Sequence, residues 1–236
     1  MSLLIVADHA SNIVPDDVDL GIPAAWLGEH IAVDIGSAAL ARALEAEFRC
    51  QAVFAEVSRL VIDVNREPER PDMIPELSDG RVIAGNIGLS PAERQRRLER
   101  YFCSYHAAIE AALVQSRPAL IVAVHSFTPR LVSRPNEARS WPVGILYNRD
   151  NRAAALGIAW LREQGFDTGD NQPYSGRDLN YTMNRHAEAA GITYLGFEVR
   201  QDQLANAAGI AHWSQMLSST IRHVAQALAL NLGNSA

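Results

Sequence analysis

The stretch LIVAVHSFTP, residues 120–129, decides the fold predicted for this chain. Its first five residues are apolar, and the run ends abruptly in His125 and Ser126. A short, continuous apolar run is typical of a strand that is buried on both faces of a parallel sheet. We therefore predict a central strand that carries a polar pair at its carboxyl end.

Two other apolar runs end in the same way. The run LLIVADHAS, residues 3–11, ends with His9, and TYLGFEVRQD, residues 193–202, carries Glu198 near its end. In open α/β sheets, ligands bind beyond the carboxyl ends of the strands. The two histidines and the glutamate therefore predict one shared site, and the residue types favour a metal site.

Strand-like and helix-like patterns alternate along the 236 residues, and 48% of the residues are hydrophobic, which is ample for a core. The alternation predicts a single α/β domain over residues 1–236, with helices on both faces of the sheet. The further predicted strands are 52–57, 60–64 and 143–147; the predicted helices are 37–48, one that starts at Ser90, 152–164, 179–190 and 205–230; the predicted loops are 67–89 and 168–177.

Composition restricts the partners and the compartment. The net charge of −6, without a face rich in Lys and Arg, argues against a nucleic-acid partner. Cys50 and Cys103 lack a CxxC spacing, which is typical of reduced thiols in a cytoplasmic protein. The first apolar run has only five residues and no preceding basic residue, so we expect neither a signal peptide nor a membrane span. The sequence does not indicate the oligomeric state.

The three strand-end residues fit the chemistry of a catalytic zinc. Such a metal has three protein ligands and one open position, and it activates water. His9 and His125 suit the ligand role, and Glu198 suits a general base that takes the proton of the water. Strand-end histidines that simply hydrogen-bond to a loop backbone are the alternative.

Other polar residues each allow two interpretations. Arg59 and Arg66 suit bidentate binding of a substrate carboxylate, but either could form a structural ion pair with Asp63. Asp34 could be a ligand or a helix cap. Tyr174 could contact substrate or belong to a turn.

A serine hydrolase is the competing class of enzyme. Ser11 and Ser126 lie near histidines in the sequence, but adjacent strand residues point to opposite faces and no GxSxG motif is present. His106 lies on a predicted helix, where we expect a structural or surface role.

Five motifs carry a family resemblance that covers residue 6 to about residue 203. They are HAS (9–11), DVNRE (63–67), HSFTP (125–129), NQPYSG (171–176) and FEVRQD (197–202). Together they resemble the N-formylglutamate amidohydrolase family and, more distantly, zinc carboxypeptidases. The resemblance implies a three-layer α/β/α fold of the phosphorylase/hydrolase-like type, with a mostly parallel mixed sheet.

The resemblance also implies roles for individual residues. Asn65 and Arg66 would bind a substrate carboxylate, helped by Arg59, His125 would bind zinc, and Glu198 would be the general base. The corresponding first motif of carboxypeptidases is His-x-x-Glu; here His9 matches, but Asn12 replaces the glutamate. We prefer Asp34 as the third ligand, and a site with fewer protein ligands is the alternative.

The activity implied by the resemblance is hydrolysis of a small N-acyl amino acid, such as N-formylglutamate to formate and glutamate. Zn²⁺ would be the cofactor, and the loops 67–89 and 168–177, the second of which contains Tyr174, would enclose the substrate. The alternative is a metal-free protein that binds acyl amino acids on a degenerate hydrolase scaffold.

Overall fold

The computed structural model describes residues 3–232, and a six-stranded sheet forms its centre. The strands are β1 (Leu3–Ala7), β2 (Gln51–Phe54), β3 (Leu77–Ser78), β4 (Arg81–Val82), β5 (Leu120–Phe127), β6 (Val143–Leu146), β7 (Thr168–Asp170) and β8 (Thr193–Arg200). The sheet has the order β2-β1-β5-β8-β6-β7, and β3 and β4 form a separate hairpin. Strands β2, β1, β5 and β8 are mutually parallel, whereas β6 is antiparallel to β8. The predicted mostly parallel mixed sheet is confirmed.

Helices cover both faces of the sheet. They are α1 (Ser37–Phe48), α2 (Pro91–Arg97), α3 (Ser104–Ser116), α4 (Arg152–Glu163), α5 (Tyr181–His186) and α6 (Ala207–Ala227). One core lies between the sheet and α1, α4 and α6, and a second core lies between the other face and α3 and α5. The predicted three-layer arrangement is therefore confirmed. No helix within residues 3–232 is long and apolar enough to cross a membrane.

The central strand matches its sequence pattern. All eight residues of β5 are buried, because the strand pairs with β1 on one side and β8 on the other while both faces carry helices. The helix start predicted at Ser90 is also confirmed. The Ser90 hydroxyl accepts a hydrogen bond from the Glu93 backbone, and the Glu93 carboxylate accepts one from the Ser90 backbone, which forms a capping box.

The strand predicted at 60–64 is wrong. These residues are buried, as their apolar character requires, but they form turns. The N–H groups of Val61 and Ile62 both donate to the carbonyl of Ser58, so a local turn replaces the pairing of a strand. The segment therefore packs beneath the second face of the sheet instead of joining it.

Several boundaries also differ from the predictions. The loop predicted at 168–177 begins with the edge strand β7, and the loop predicted at 67–89 contains the β3–β4 hairpin. The last two predicted helices are shorter in the structure, since α5 ends at His186 and α6 ends at Ala227. Cys50 and Cys103 are free thiols.

Candidate active site

The register of the sheet places polar side chains from different strands in one row. His125 on β5 is paired with Glu198 on β8, and Glu198 is paired with Gly144 on β6. Asp8 and His9 directly follow β1, whose pairing with β5 brings them to the same edge. The three runs singled out in the sequence therefore meet at the carboxyl edge of the sheet, where they line a cavity of about 100 Å³.

Two histidines and one carboxylate converge in this cavity. The Nδ1 atoms of His9 and His125 lie 3.3 and 3.0 Å from Asp34 Oδ2. The three residues are buried, and their potential ligand atoms all lie within 4.8 Å of one another, so the cluster could hold a metal ion.

Asp34 does not act as the cap of α1. The cap position is Gly36, and no side chain caps this helix. The Asp34 N–H instead donates to the backbone carbonyl of His9, at 3.0 Å, which fixes the turn before α1 against the end of β1. The Asp34 carboxylate is thereby directed at the two histidines.

Each histidine is held from behind by a second carboxylate. His9 Nε2 lies 2.7 Å from Asp63 Oδ1, and His125 Nε2 lies 3.2 Å from Asp8 Oδ2. Buried carboxylates in this position fix the ring orientation and leave the other nitrogen for a metal. Sequence reasoning missed both roles, although Asp8 directly precedes His9 and Asp63 begins the DVNR motif.

These contacts set the pKa values of the cluster. Burial by itself would lower the pKa of His125, but hydrogen bonds to Asp34 and Asp8 outweigh it and hold the pKa well above its usual value. Burial also opposes ionisation of Asp34, but His9 and His125 lower its pKa. The cluster therefore keeps its carboxylates ionised even though it is buried.

Glu198 differs from these carboxylates. Burial raises its pKa to about 7. Its Oε2 atom is buried and has no hydrogen-bond partner among the residues 3–232. A carboxyl group in this state, beside a potential metal cluster, is suited to exchange a proton near neutral pH.

Arg59 and Arg66 line the same cavity and also form ion pairs. The structure is therefore compatible with binding of a substrate carboxylate and with a structural ion pair. Arg59 donates to Asp63 Oδ2 at 2.8 Å and to Asp34 Oδ1 at 3.3 Å. Arg66 donates to Asp72 Oδ2 at 3.2 Å, and its other end lies 3.8 Å from Asp63. Both guanidinium groups are thus held at the edge of the cavity by carboxylates.

Asn65 is oriented by the start of α5. Its Oδ1 atom accepts a hydrogen bond from the Thr182 N–H, at 2.9 Å. A backbone N–H requires an oxygen as its acceptor, so the amide nitrogen of Asn65 must occupy the other position. Asn65 lines the cavity, and its NH₂ group is therefore available as a donor there.

Tyr174 reaches the cavity because glycines allow its loop to pack closely on β6. A side chain at Gly144 would collide with the carbonyl of Gln172, and one at Gly176 would collide with the backbone of Tyr147. The Tyr174 hydroxyl accepts a hydrogen bond from Arg139 at 2.9 Å. Tyr174 therefore belongs to a tightly packed turn and lines the cavity as well.

The residues of the competing interpretations are engaged elsewhere. The Ser126 hydroxyl donates to the carbonyl of Ile35 at 2.7 Å, and the Ser11 hydroxyl donates to the carbonyl of Glu56 at 2.8 Å. Neither of these hydrogen bonds involves a histidine. Asn12 is exposed and donates to the carbonyl of Leu27, whereas Asp34 is buried and lines the cavity beside the two histidines.

Comparison with known proteins assigns the family. The sequence model of the N-formylglutamate amidohydrolase family matches residues 1–205. The chain belongs to this family. Members of this family are amidohydrolases. The cavity at the carboxyl edge of the sheet is therefore the candidate active site of this protein.

Two solved structures resemble the chain over nearly its full length. The gene product Atu2144 from Agrobacterium tumefaciens has 31% sequence identity and a TM-score of 0.91, over 97% of this chain and 92% of that chain. An N-formylglutamate amidohydrolase from Ralstonia eutropha JMP134 has 22% identity and a TM-score of 0.66, over 95% of this chain and 93% of that chain. No curated protein matches the chain significantly.

Proposed function

We propose that the protein is a zinc-dependent amidohydrolase that cleaves the N-acyl amide of an amino acid, with the formyl group as the acyl group that it removes. Membership of the N-formylglutamate amidohydrolase family supports the reaction class. The convergence of His9, His125 and Asp34 beside Glu198, whose buried Oε2 atom has no hydrogen-bond partner within residues 3–232, carries the proposal.

The donor set fits zinc. Two imidazole nitrogens and one carboxylate oxygen are ligands that catalytic zinc sites use, and three protein ligands leave one position open. Asp63 and Asp8 contact the Nε2 atoms, so the Nδ1 atoms of His9 and His125, which face the Asp34 carboxylate, are the ones that would bind zinc together with it. When bound, zinc lowers the pKa of a water molecule and polarises the acyl carbonyl.

Glu198 is the proposed general base and acid. It accepts the proton of the attacking water, because its Oε2 atom has no competing partner within residues 3–232. It then donates this proton to the leaving nitrogen, which departs as the amine of the free amino acid. Burial excludes bulk water from the carboxyl group during both transfers.

The positive side of the cavity orients the substrate. Arg66 and the NH₂ group of Asn65 bind the α-carboxylate, while Arg59, held beside Asp34, places a fixed positive charge near the acyl oxygen. Tyr174 lines the same cavity and contacts the substrate. This arrangement holds the amide bond between the metal cluster and Glu198.

The decisive experiment combines metal analysis with Glu198→Gln. We expect about one zinc per chain and hydrolysis of N-formyl amino acids by the wild type. Glu198→Gln should lower kcat at least ~100-fold, the usual contribution of a general base, with zinc content and folding retained. Glu163→Gln, an exposed change on α4, is the matched control.

Two outcomes would contradict the proposal. Full activity of Glu198→Gln would remove this residue from the mechanism. A purified protein without metal that binds acyl amino acids but hydrolyses none would favour the metal-free binding protein instead.

A further inference from the structure

The hydroxyl of Tyr174 can donate a hydrogen bond to a ligand in the cavity. Its oxygen accepts a hydrogen bond from Arg139 Nη1 at 2.9 Å, and a guanidinium group can only donate. The hydrogen of the hydroxyl therefore points away from Arg139. Among the residues that the structure describes, no acceptor takes this hydrogen. Because Tyr174 lines the cavity, the hydrogen is free for a bound ligand.

The charges of the proposed catalytic groups reach this hydroxyl. Burial raises the pKa of Tyr174, the charge of Arg139 opposes this increase, and the charge of Glu198 adds to it. Arg59 has a smaller effect, in the same direction as Arg139. Interactions between charges weaken with distance, so the hydroxyl lies in the electrostatic neighbourhood of Glu198 and Arg59.

Arg139 is held in place by several contacts. Its Nη1 atom also donates to the carbonyl of Thr128, another lining residue, at 3.4 Å. Its guanidinium carbon lies 4.7 Å from the centre of the Tyr174 ring. The carbonyl of Arg139 accepts a hydrogen bond from Arg200, which ends the strand β8 that carries Glu198. The position of Arg139 is therefore tied to the strand of the proposed general base.

The charge of Arg139 is not matched by a carboxylate. The two arginines that line the cavity, Arg59 and Arg66, pair with Asp63 and Asp72. Within residues 3–232, Arg139 donates only to the Thr128 carbonyl and the Tyr174 hydroxyl. An unpaired cation behind a hydroxyl donor favours an anionic oxygen as the acceptor. A carboxylate supplies such oxygens.

We propose that Arg139 is a positioning residue that acts through Tyr174: it fixes the Tyr174 hydroxyl as a donor to a carboxylate oxygen of the bound N-formyl amino acid. The proposal rests on the proposed function, because it places this substrate in the cavity. It adds a residue outside the cavity lining to the groups that bind the substrate.

A double-mutant cycle in ligand binding tests the proposal. Glu198→Gln serves as the common background, because binding can then be measured by calorimetry with little turnover. Arg139→Met removes the charge and the N–H donors but keeps an unbranched side chain over the ring, and Tyr174→Phe removes only the hydroxyl. If Arg139 acts through this hydroxyl, the effects of the two changes are not additive.

The expected effects are changes in the Kd of N-formylglutamate for the zinc-loaded protein. Arg139→Met should raise this Kd about 10-fold, as expected for loss of a hydrogen bond to a charged group. In the Tyr174→Phe background, the same change should raise it by no more than about 2-fold. Arg139→Lys, which keeps a charged donor, should lose less affinity than Arg139→Met.

The matched control is Arg134→Met. Arg134 is an exposed arginine of the same loop, and its side chain pairs with Glu137. Its replacement should leave the Kd unchanged within about 2-fold, because it is not joined to Tyr174. An equal loss of affinity in Arg134→Met and Arg139→Met would show a general effect of positive charge and would contradict the proposal.

N-formylglutamine identifies the carboxylate. This ligand has nearly the same shape as N-formylglutamate but carries only the α-carboxylate. If Arg139→Met weakens the binding of both ligands equally, the α-carboxylate is the acceptor. If it weakens only N-formylglutamate, the side-chain carboxylate is the acceptor. Both results support the proposal, whereas an unchanged Kd for both ligands overturns it.

The outcomes separate this proposal from the proposed function. Additive effects in the cycle, together with hydrolysis by the wild type, overturn the role of Arg139 and leave the amidohydrolase function standing. Non-additive effects without hydrolysis of any N-formyl amino acid by the wild type contradict the proposed function and leave the role of Arg139 in carboxylate binding. If the folded, zinc-loaded protein binds neither ligand, both proposals fail.

Discussion

Two pairs of buried histidines lie in this protein, and they differ in every contact. The pair His9 and His125, with ring centroids 5.3 Å apart, is surrounded by the carboxylates of Asp8, Asp34 and Asp63. The pair His106 and His186 stacks with centroids 5.0 Å apart, and its Nδ1 and Nε2 atoms contact each other at 2.7 Å. The sequence contains the same residue type in all four places.

Hydrogen bonds fix the tautomers of the second pair. His106 Nε2 lies 3.0 Å from the carbonyl of Val64, which can only accept, so His106 donates from Nε2. Its Nδ1 must then accept from His186 Nε2. Burial, followed by charge repulsion from His186, lowers the pKa of His106 to about 4. Burial also lowers the pKa of His186 to about 4.

The difference teaches that the neighbours decide what a buried histidine can do. In the first pair, carboxylates occupy the Nε2 atoms and the two Nδ1 atoms point at one place. In the second pair, the nitrogens of His106 are used by a carbonyl and by the other histidine. The first pair is therefore suited to bind a metal, and the second is a neutral support beneath the DVNR segment.

The largest expected effect separates the two pairs by function. His125→Ala should abolish zinc binding and lower kcat/KM at least ~1,000-fold, because the metal and its activated water are both lost. His186→Leu should leave the zinc content unchanged and destabilise the fold by about 1–3 kcal/mol, because His106 loses its donor. Elemental analysis measures the zinc content, and urea unfolding measures the free energy of unfolding. Loss of zinc in folded His186→Leu would show that the second pair of histidines also supports metal binding.

The next effect is the pH dependence of stability. The pKa values of His106 and His186 fall from 6.5 to about 4 in the folded state, so their contribution is fully present above pH 6.5 and is lost as the pH falls toward 4. At 1.36 kcal/mol per pKa unit, each histidine accounts for about 3 kcal/mol.

Urea unfolding of wild type and His186→Leu between pH 7 and pH 4 measures this contribution. The variant has lost one of the two titrating groups, so its free energy of unfolding should fall less steeply with acid. The cluster at His9 and His125 is common to both proteins and cancels in the difference. Parallel curves would show that the second pair does not titrate in this range.

A smaller effect is expected when a carboxylate behind the first pair is neutralised. Asp8→Asn should weaken zinc affinity about 10- to 100-fold, because the ring of His125 loses the negative charge that makes it a stronger ligand. Tyr105→Phe, which removes a 2.6 Å hydrogen bond to Asp8 but keeps the charge, should have a smaller effect. Zinc affinity is measured by chelator competition, and equal effects of the two changes would show that the charge of Asp8 is not what matters.

The sequence predicted best where one local pattern determines the structure. The apolar run before His125 was predicted to be a buried strand and is one, and helix α1 has the predicted bounds of residues 37–48. The meeting of His9, His125 and Glu198 followed from one rule, because parallel strands present their carboxyl ends at the same edge.

Predictions from the sequence were poor where contacts between distant segments determine the local structure or the role of a residue. Residues 60–64 have the composition of a strand, but the space beneath the sheet favours a buried turn. The contact of His106 with His186 joins two helices that no periodicity relates. The roles of Asp8 and Asp63 depend on which histidine nitrogen faces them, and that is a property of the tertiary structure alone.

The position of β8 has a consequence for the synthesis of the protein. This strand carries Glu198 and is the last of the sheet to be translated, yet it lies between β5 and β6. Until residue 200 has left the ribosome, β1, β2 and β5 cannot be joined to β6 and β7. The nascent chain therefore holds a sheet in two separate parts, and it can neither complete its core nor form the cavity until β8 inserts between them.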